Sequence, residues 1–400
     1  MYSIINKDEV VEVQKGHFPI EQFKTLKTPF YYYDTDLLRK TLEVVCKEVK
    51  VFDQYAVHYA LKANTNPKLL AIIQSYGLGA DCVSGGEIQA ALDAGFSSDK
   101  IVFAGVGKAD WEIELALDQN IFCFNVESKP ELEVINDLAA KQNKTARVCL
   151  RVNPNVGAHT HSNITTGLAE NKFGIGLTEL KEVIEFVQEA KSIDWIGLHF
   201  HIGSQIVDPD DFIALCNRIN TIQDYLEAHR IQVSHVNVGG GLGIDYANPN
   251  RQPIPDFKHF FATYDSKLKL RSHQTIHFEL GRSIVGQCGS LISRVLYVKQ
   301  GAKKQFTILD AGMTELIRPA LYQAYHKIEN LSSDKEREAY DVVGPICESS
   351  DVFGKSIDLN RVERGDLIAI RSAGAYGEVM ASRYNCRDLP LTFISDDLGV

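Results

Sequence analysis

The sequence predicts an α/β protein: a parallel (β/α)8 barrel followed by an all-β C-terminal domain that also takes in the N-terminal strands. Three observations lead there. Eight short apolar runs lie at 57–61, 79–83, 100–104, 121–126, 146–152, 195–200, 234–238 and 275–280, and each but the last is followed by an amphipathic helical pattern. Polar or glycine residues follow seven of these runs directly, among them Lys62, Ser84, Arg151, His201, Gly239 and Glu279. Chemistry gathered at the ends of many strands favours a closed barrel over a doubly wound open sheet. After Gly281 the texture changes to short β-branched segments, at 290–299, 306–309, 340–343 and 366–371, separated by Gly, Asp and Lys turns.

In chain order, residues 1–33 read as a strand-rich lead-in that joins the β domain and ends in the aromatic run Phe30 to Tyr33. Asp34 or Thr35 can cap a helix to about Lys50, with Leu38, Leu42, Val45 and Val49 at helical spacing. The barrel then spans 34–282 and the C-terminal β domain 283–400.

Composition narrows the function. At 400 residues, 44% hydrophobic and 24% charged, the chain can bury a large core and has no apolar run that would cross a bilayer. A net charge of −10 without a basic cluster argues against nucleic acid and anionic membranes as partners. The eight cysteines show no CxxC pair, and residues 1–16 lack the basic-then-apolar pattern of a signal peptide, so a reducing cytoplasm is the expected compartment.

Lys62, at the end of the first barrel strand, is the candidate nucleophile. An apolar setting disfavours its ammonium form, and such amines form Schiff bases with carbonyls, including the aldehyde of pyridoxal phosphate. Gly239, Gly240 and Gly241 follow the seventh strand, where barrels often hold phosphate on backbone N–H groups. His199 and His201 admit two readings: metal ligands with His277 and Glu279, as in barrel hydrolases, or a ring stacked on a planar cofactor with Ser204 at its phosphate. Glu279 can pair with a protonated pyridine nitrogen or, more plainly, with Arg282. Cys347, in the loop Gly344-Pro345-Ile346-Cys347-Glu348, can be exposed and exchange a proton, and Arg318 with Tyr322 can hold a carboxylate. His159 to Ser162 fall in a stretch, 157–170, expected to form a mobile loop over the site.

Together these stretches resemble the alanine-racemase-like, fold-type III pyridoxal phosphate-dependent decarboxylases. The resemblance runs from Tyr31-Tyr32-Tyr33-Asp34 to Ala373-Gly374-Ala375-Tyr376-Gly377 and is carried by Tyr59-Ala60-Leu61-Lys62-Ala63-Asn64, His201-Ile202-Gly203-Ser204 and the triple glycine. Asp310-Ala311-Gly312-Met313, Arg318-Pro319-Ala320-Leu321-Tyr322 and the loop of Cys347 look like the branch that acts on meso-diaminopimelate rather than on ornithine or arginine. The resemblance implies a carboxy-lyase that releases lysine and carbon dioxide in the last step of lysine biosynthesis, with decarboxylation of another amino acid or polyamine precursor as the alternative. It implies that Lys62 carries pyridoxal 5'-phosphate, His201 stacks on its ring, Glu279 pairs with its nitrogen, and Ser204, Gly239 to Gly241, Gly281, Arg282 and Tyr376 surround its phosphate. Arg318 and Tyr322 would bind the substrate's far carboxylate and Glu348 its far amino group, with Arg282 and Tyr376 also in reach. Cys347 would return a proton to Cα, entering with Glu348 from a second subunit of a homodimer. Leu280 departs from the proline common in the family, so a looser turn before Arg282 is expected, and the chain ends at Val400 where relatives tend to continue.

Overall fold

Asp34 caps the first long helix, Thr35–Val49, by accepting the Leu37 N–H at 2.9 Å, and that helix buries Leu38, Leu42 and Val45 on one stripe. The computed structural model describes residues 17–50, 52, 54–156 and 172–399. In it, strand β1 (Phe30–Tyr33) precedes eight further strands: β2 (Tyr55–Ala60), β3 (Gly79–Cys82), β4 (Ile101–Phe103), β5 (Cys123–Val126), β6 (Ala146–Arg151), β7 (Ile193–His199), β8 (His235–Asn237) and β9 (Thr275–Leu280). Strands β2 to β9 pair in sequence order, all parallel, and β9 closes on β2 with Val57 opposite Phe278. Each falls on one of the eight expected apolar runs.

Alternation along β9 shows how the barrel is filled. Phe278 points outward and packs against Phe260, Phe261 and Tyr264 of the helix Phe257–Lys267, with ring centroids 5.0–5.5 Å apart. Truncating such a side chain to alanine typically costs about 3–5 kcal/mol. His277 and Glu279, on the opposite face, point into the barrel. Polar side chains are thus imposed on the interior by a strand whose outer face is held by aromatic packing.

The second unit is mostly β. Strands β10 (Gly289–Gln300), β11 (Gln305–Leu309), β12 (Ile328–Asn330), β13 (Arg337–Val343), β14 (Val352–Asn360) and β15 (Leu367–Ile370) run in the order β12-β15-β10-β11-β13-β14. β1 pairs antiparallel with β10 and parallel with β16 (Leu391–Ile394), so the chain begins in this sheet, leaves to build the barrel and returns. The lead-in differs from its strand-rich reading: its described part holds a six-residue helix, Ile20–Thr25, before β1. That helix exists to bury Phe23 between Phe30 and Tyr32, at centroid distances of 5.2 and 4.9 Å.

The two units interlock beside the end of β2. Asn64 donates to the Tyr33 hydroxyl at 2.7 Å and to the Gly374 carbonyl at 2.9 Å, and Tyr376 N–H donates to the Ala63 carbonyl at 2.8 Å. A Cβ on Gly374 would overlap the Val285 carbonyl, so only glycine permits this approach. The contact brings Tyr376 to the barrel mouth.

Candidate active site

A cavity of about 480 Å³ opens at the carboxyl ends of the barrel strands, lined among others by Lys62, Arg151, His201, Ser204, Gly241, Glu279, Gly281, Arg282, Arg318, Tyr322 and Tyr376. All eleven were singled out from the sequence, and they meet here. Gly239 and Gly240 sit behind the wall rather than on it: a Cβ on Gly240 would overlap the Glu279 carbonyl, and Gly239 has φ +70°. Cys347 and Glu348 do not join them. They lie in the loop between β13 and β14, exposed, with the Cys347 N–H donating to Asn385 Oδ1 at 3.1 Å. Residues 157–170, expected to cover the site, fall outside the described residues.

Lys62 sits in a single 3₁₀ turn, Leu61–Ala63, just past β2, with Nζ 3.4 Å from Asp81 Oδ2. The apolar setting read from the sequence is one of several influences on Lys62. Burial does push its pKa down, but the carboxylates of Asp81 and Glu279 outweigh burial and raise it, so the resting amine holds its proton. Burial and the like charge of Glu279 push the Asp81 carboxyl up to about 6, and among the described residues its buried Oδ1 has no partner.

Glu279 does not pair with Arg282. Its Oε1 accepts from Asn125 Nδ2 at 3.0 Å and from Asn237 Nδ2 at 2.6 Å, and its Oε2 lies 3.1 Å from His199 Nε2. Burial alone would raise this carboxyl. His199, Lys62 and His201 more than offset it and hold the group well below the usual carboxylate range. The metal reading of the two histidines loses its fourth member: His277 spends Nδ1 on His58 Nε2 and Nε2 on His235 Nδ1, both at 2.9 Å. No group of three or more His, Cys, Asp or Glu side chains is placed to hold a metal ion among the described residues.

Three buried guanidiniums line the cavity, and Arg151 is paired with Glu127 Oε1 at 2.6 Å, which leaves Arg282 and Arg318. Arg282 donates to Ser204 Oγ at 3.1 Å and to the Tyr246 hydroxyl; Arg318 donates to the same hydroxyl at 3.2 Å and, through Nε, to His326 Nε2 at 3.3 Å. These side-chain partners fix Arg282 even with Leu280 before it. Among the described residues neither arginine forms an ion pair, and burial pushes the Arg318 pKa down. A buried cation with only neutral partners is costly, and an arriving carboxylate or phosphate would relieve that cost. Tyr322 and Tyr376 offer ring faces to Arg318 and Arg282 at 5.8 and 4.9 Å.

Sequence reasoning missed Asp81, Asn125, Asn237, Tyr246 and His326. A signal existed for the two asparagines, because a lone amide inside Phe122-Cys123-Phe124-Asn125-Val126 or Val236-Asn237-Val238 is out of place in a buried strand unless something bonds it. Tyr246 and His326 lie in loops and carry no such mark.

The sequence model described as "Pyridoxal-dependent decarboxylase, pyridoxal binding domain" matches residues 38–286. The chain is 71% identical over 384 residues to the diaminopimelate decarboxylase of Bacteroides thetaiotaomicron, covering 96% of this chain and 100% of that one. It is 43% identical to the diaminopimelate decarboxylase of Helicobacter pylori over 94% of this chain and 92% of the relative. The crystal structure of the Helicobacter pylori enzyme complexed with L-lysine superposes with a TM-score of 0.88, at 43% identity and over 94% of each chain. A lysine/ornithine decarboxylase from Vibrio vulnificus complexed with putrescine, 21% identical with a TM-score of 0.81 over 94% of this chain and 96% of that one, shares the fold.

Proposed function

The chain belongs to the diaminopimelate decarboxylases of the pyridoxal-dependent decarboxylase family, and on that premise we propose that it removes one carboxylate from meso-2,6-diaminopimelate to give L-lysine and carbon dioxide, closing the diaminopimelate route to lysine. The observation that carries the choice of substrate is Arg318: a guanidinium buried on the cavity wall whose side-chain hydrogen-bond partners among the described residues are a phenol and an imidazole. Lysine and ornithine lack a distal carboxylate and would leave it unpaired.

The residues present fit pyridoxal 5'-phosphate. One amine, one ionised carboxylate, hydroxyl and guanidinium donors and a glycine loop share a cavity large enough for a cofactor and an amino acid. When bound, the cofactor supplies an electron sink for the carbanion left at Cα. Lys62 would hold its aldehyde carbon, His201 its ring face, Glu279 its ring nitrogen, and Ser204, Gly239 to Gly241, Gly281, Arg282 and Tyr376 its phosphate.

The chain's own groups then have definable tasks. Lys62 Nζ must shed a proton before it can act, and Asp81 Oδ2, 3.4 Å away, is the acceptor in place. Glu279 stays ionised under three donors. Arg318 and Tyr322 orient the substrate through its far carboxylate, so the carboxylate to be lost is selected by position. Cys347 donates the replacing proton to Cα and Glu348 receives the distal amine, both delivered by a second copy in a cytoplasmic homodimer. The exposure of that loop, away from the cavity of its own chain, supports this assignment. The same reading divides the chain at 1–33, 34–282 and 283–400.

The test is an absorption spectrum of the purified protein with pyridoxal phosphate, before and after meso-diaminopimelate, with carbon dioxide followed in parallel. A visible band that changes as carbon dioxide appears is expected. A band without release of carbon dioxide from this substrate, but with release from lysine or ornithine, would overturn the role of Arg318.

A further inference from the structure

Asn237, the last residue of β8, is buried and does not line the cavity, yet its amide touches two parts of the site. Its orientation is fixed by its neighbours. The Gly239 N–H can only donate, so the atom 2.9 Å from it is Oδ1, which turns Nδ2 toward Glu279 Oε1. Asn125 donates to the same oxygen, so Oε1 receives two N–H groups and has no room for a proton.

Any proton on Glu279 would then sit on Oε2, facing His199 Nε2. Among the described residues His199 Nδ1 is buried without a partner. A buried lone pair lacking a donor is cheaper than a buried N–H lacking an acceptor, so the imidazole hydrogen belongs on Nε2, where it donates to Oε2. Three donors therefore converge on an ionised carboxylate. The backbone ties the same groups together again, since the Glu279 N–H donates to the Gly239 carbonyl at 2.9 Å and Gly240 packs on the Glu279 carbonyl.

We propose that Asn237 is a positioning residue which, with Asn125, keeps Glu279 an acceptor and locks it to the glycine loop, so that a single buried amide sets the ring-nitrogen and phosphate ends of the cofactor site relative to each other. The inference rests on the cofactor reading above and deepens it. It assigns tasks to two amides that take no part in the chemistry.

The test uses native holoenzyme, N237D and N125D. Each variant keeps the shape of the side chain, replaces a donor with a second carboxyl group beside Glu279 and obliges the pair to retain a proton. Two readouts separate positioning from general damage: the dissociation constant of pyridoxal phosphate, and the pH dependence of the bound cofactor's visible band. Both variants are expected to make that band pH-dependent between about pH 6 and 8, where the native band is flat. N237D keeps an acceptor for the Gly239 N–H but loses the Nδ2 link from the loop to Glu279, so it should weaken cofactor binding by roughly tenfold or more, and N125D by less. If N237D does not fold, N125D alone decides through the band. Folded variants with the native constant and a flat band overturn the proposal and leave the function standing. A native protein that takes up no pyridoxal phosphate overturns both.

Discussion

His277 and Glu279 stand two residues apart on β9, both buried, both facing the barrel interior, and they belong to opposite kinds of site. At the floor, His58 Nδ1 must carry hydrogen because its partner at 3.0 Å is the Lys100 carbonyl. Its Nε2 then accepts from His277 Nδ1–H, and His277 Nε2 accepts from His235 Nδ1–H. Phe122 closes over the trio, stacked on His277 at 5.2 Å and edge-on to His235 at 5.0 Å. Three neutral imidazoles thus satisfy one another. Roughly 6–7 Å further along the strand, the mouth does not balance: among the described residues Asp81 Oδ1 has no partner, and Arg282 and Arg318 have only neutral ones. Burial and polarity are common to both ends. What marks the functional end is the charge left uncancelled.

Removing mouth groups should therefore cost activity and spare stability. Lys62→Ala is expected to lower carbon dioxide release at least about 10³-fold, with a thermal midpoint within roughly 2 °C of native. Arg318→Met should lower kcat/KM for meso-diaminopimelate by about 10²–10³-fold. It should also leave the cofactor-free protein as stable or more so, because a costly buried cation is replaced by an apolar chain of similar length. An Arg318→Met protein that unfolds at much lower urea would make that arginine structural and erase the contrast.

The floor is complete within one chain; on the proposed dimer the mouth is not. Lys62→Ala and Cys347→Ala proteins, each nearly inactive alone, are mixed under conditions that exchange subunits. Half of the dimers would be hybrids with one intact site of two, so up to about a quarter of native activity should return. No recovery despite verified exchange would confine each site to a single chain.

The barrel was legible because its signals are local and repeated. Eight apolar runs with helical patterns between them leave little topological freedom, and Lys62, His201 and Glu279 sit where strand ends must converge. β12, β14 and β16 were not legible: the first is three residues long, β14 is interrupted by Gly354 and Lys355, and β16 exists by pairing with β1 some 360 positions away. The same divide runs through the site. Lys62 could be found from its place after a strand, but its protonation could not, since Asp81 and Glu279 reach it only through the fold. Tyr246 bridges two arginines from a loop whose sequence gives no reason to expect it.

Titration offers the finest contrast, because the Asp81 carboxyl at the mouth and the floor imidazoles respond to acid with opposite sign, although burial pulls His201 and His326 down as well and these two respond as the floor does. Burial pulls His58, His277 and His235 below their ordinary value. The unfolded chain takes up protons below about pH 6.5 that the folded floor refuses, so stability is full above that pH and is lost as pH falls. For a fully buried histidine the slope approaches about 1.4 kcal/mol per pH unit. Asp81 works the other way: raised to about 6, it binds a proton more readily folded than unfolded, and its contribution grows as pH falls from 6 toward its ordinary value. Glu279, held low, loses its contribution only below its ordinary value and leaves the window near pH 6 undisturbed. Urea midpoints between pH 7.5 and 5 should therefore decline in the native protein, decline more steeply in Asp81→Asn, and flatten in His277→Gln, with that last variant about 2–3 kcal/mol less stable at neutral pH. Should His277→Gln keep the native slope, the floor histidines would not be the groups that answer to acid, and their mutual satisfaction would not distinguish them from the mouth.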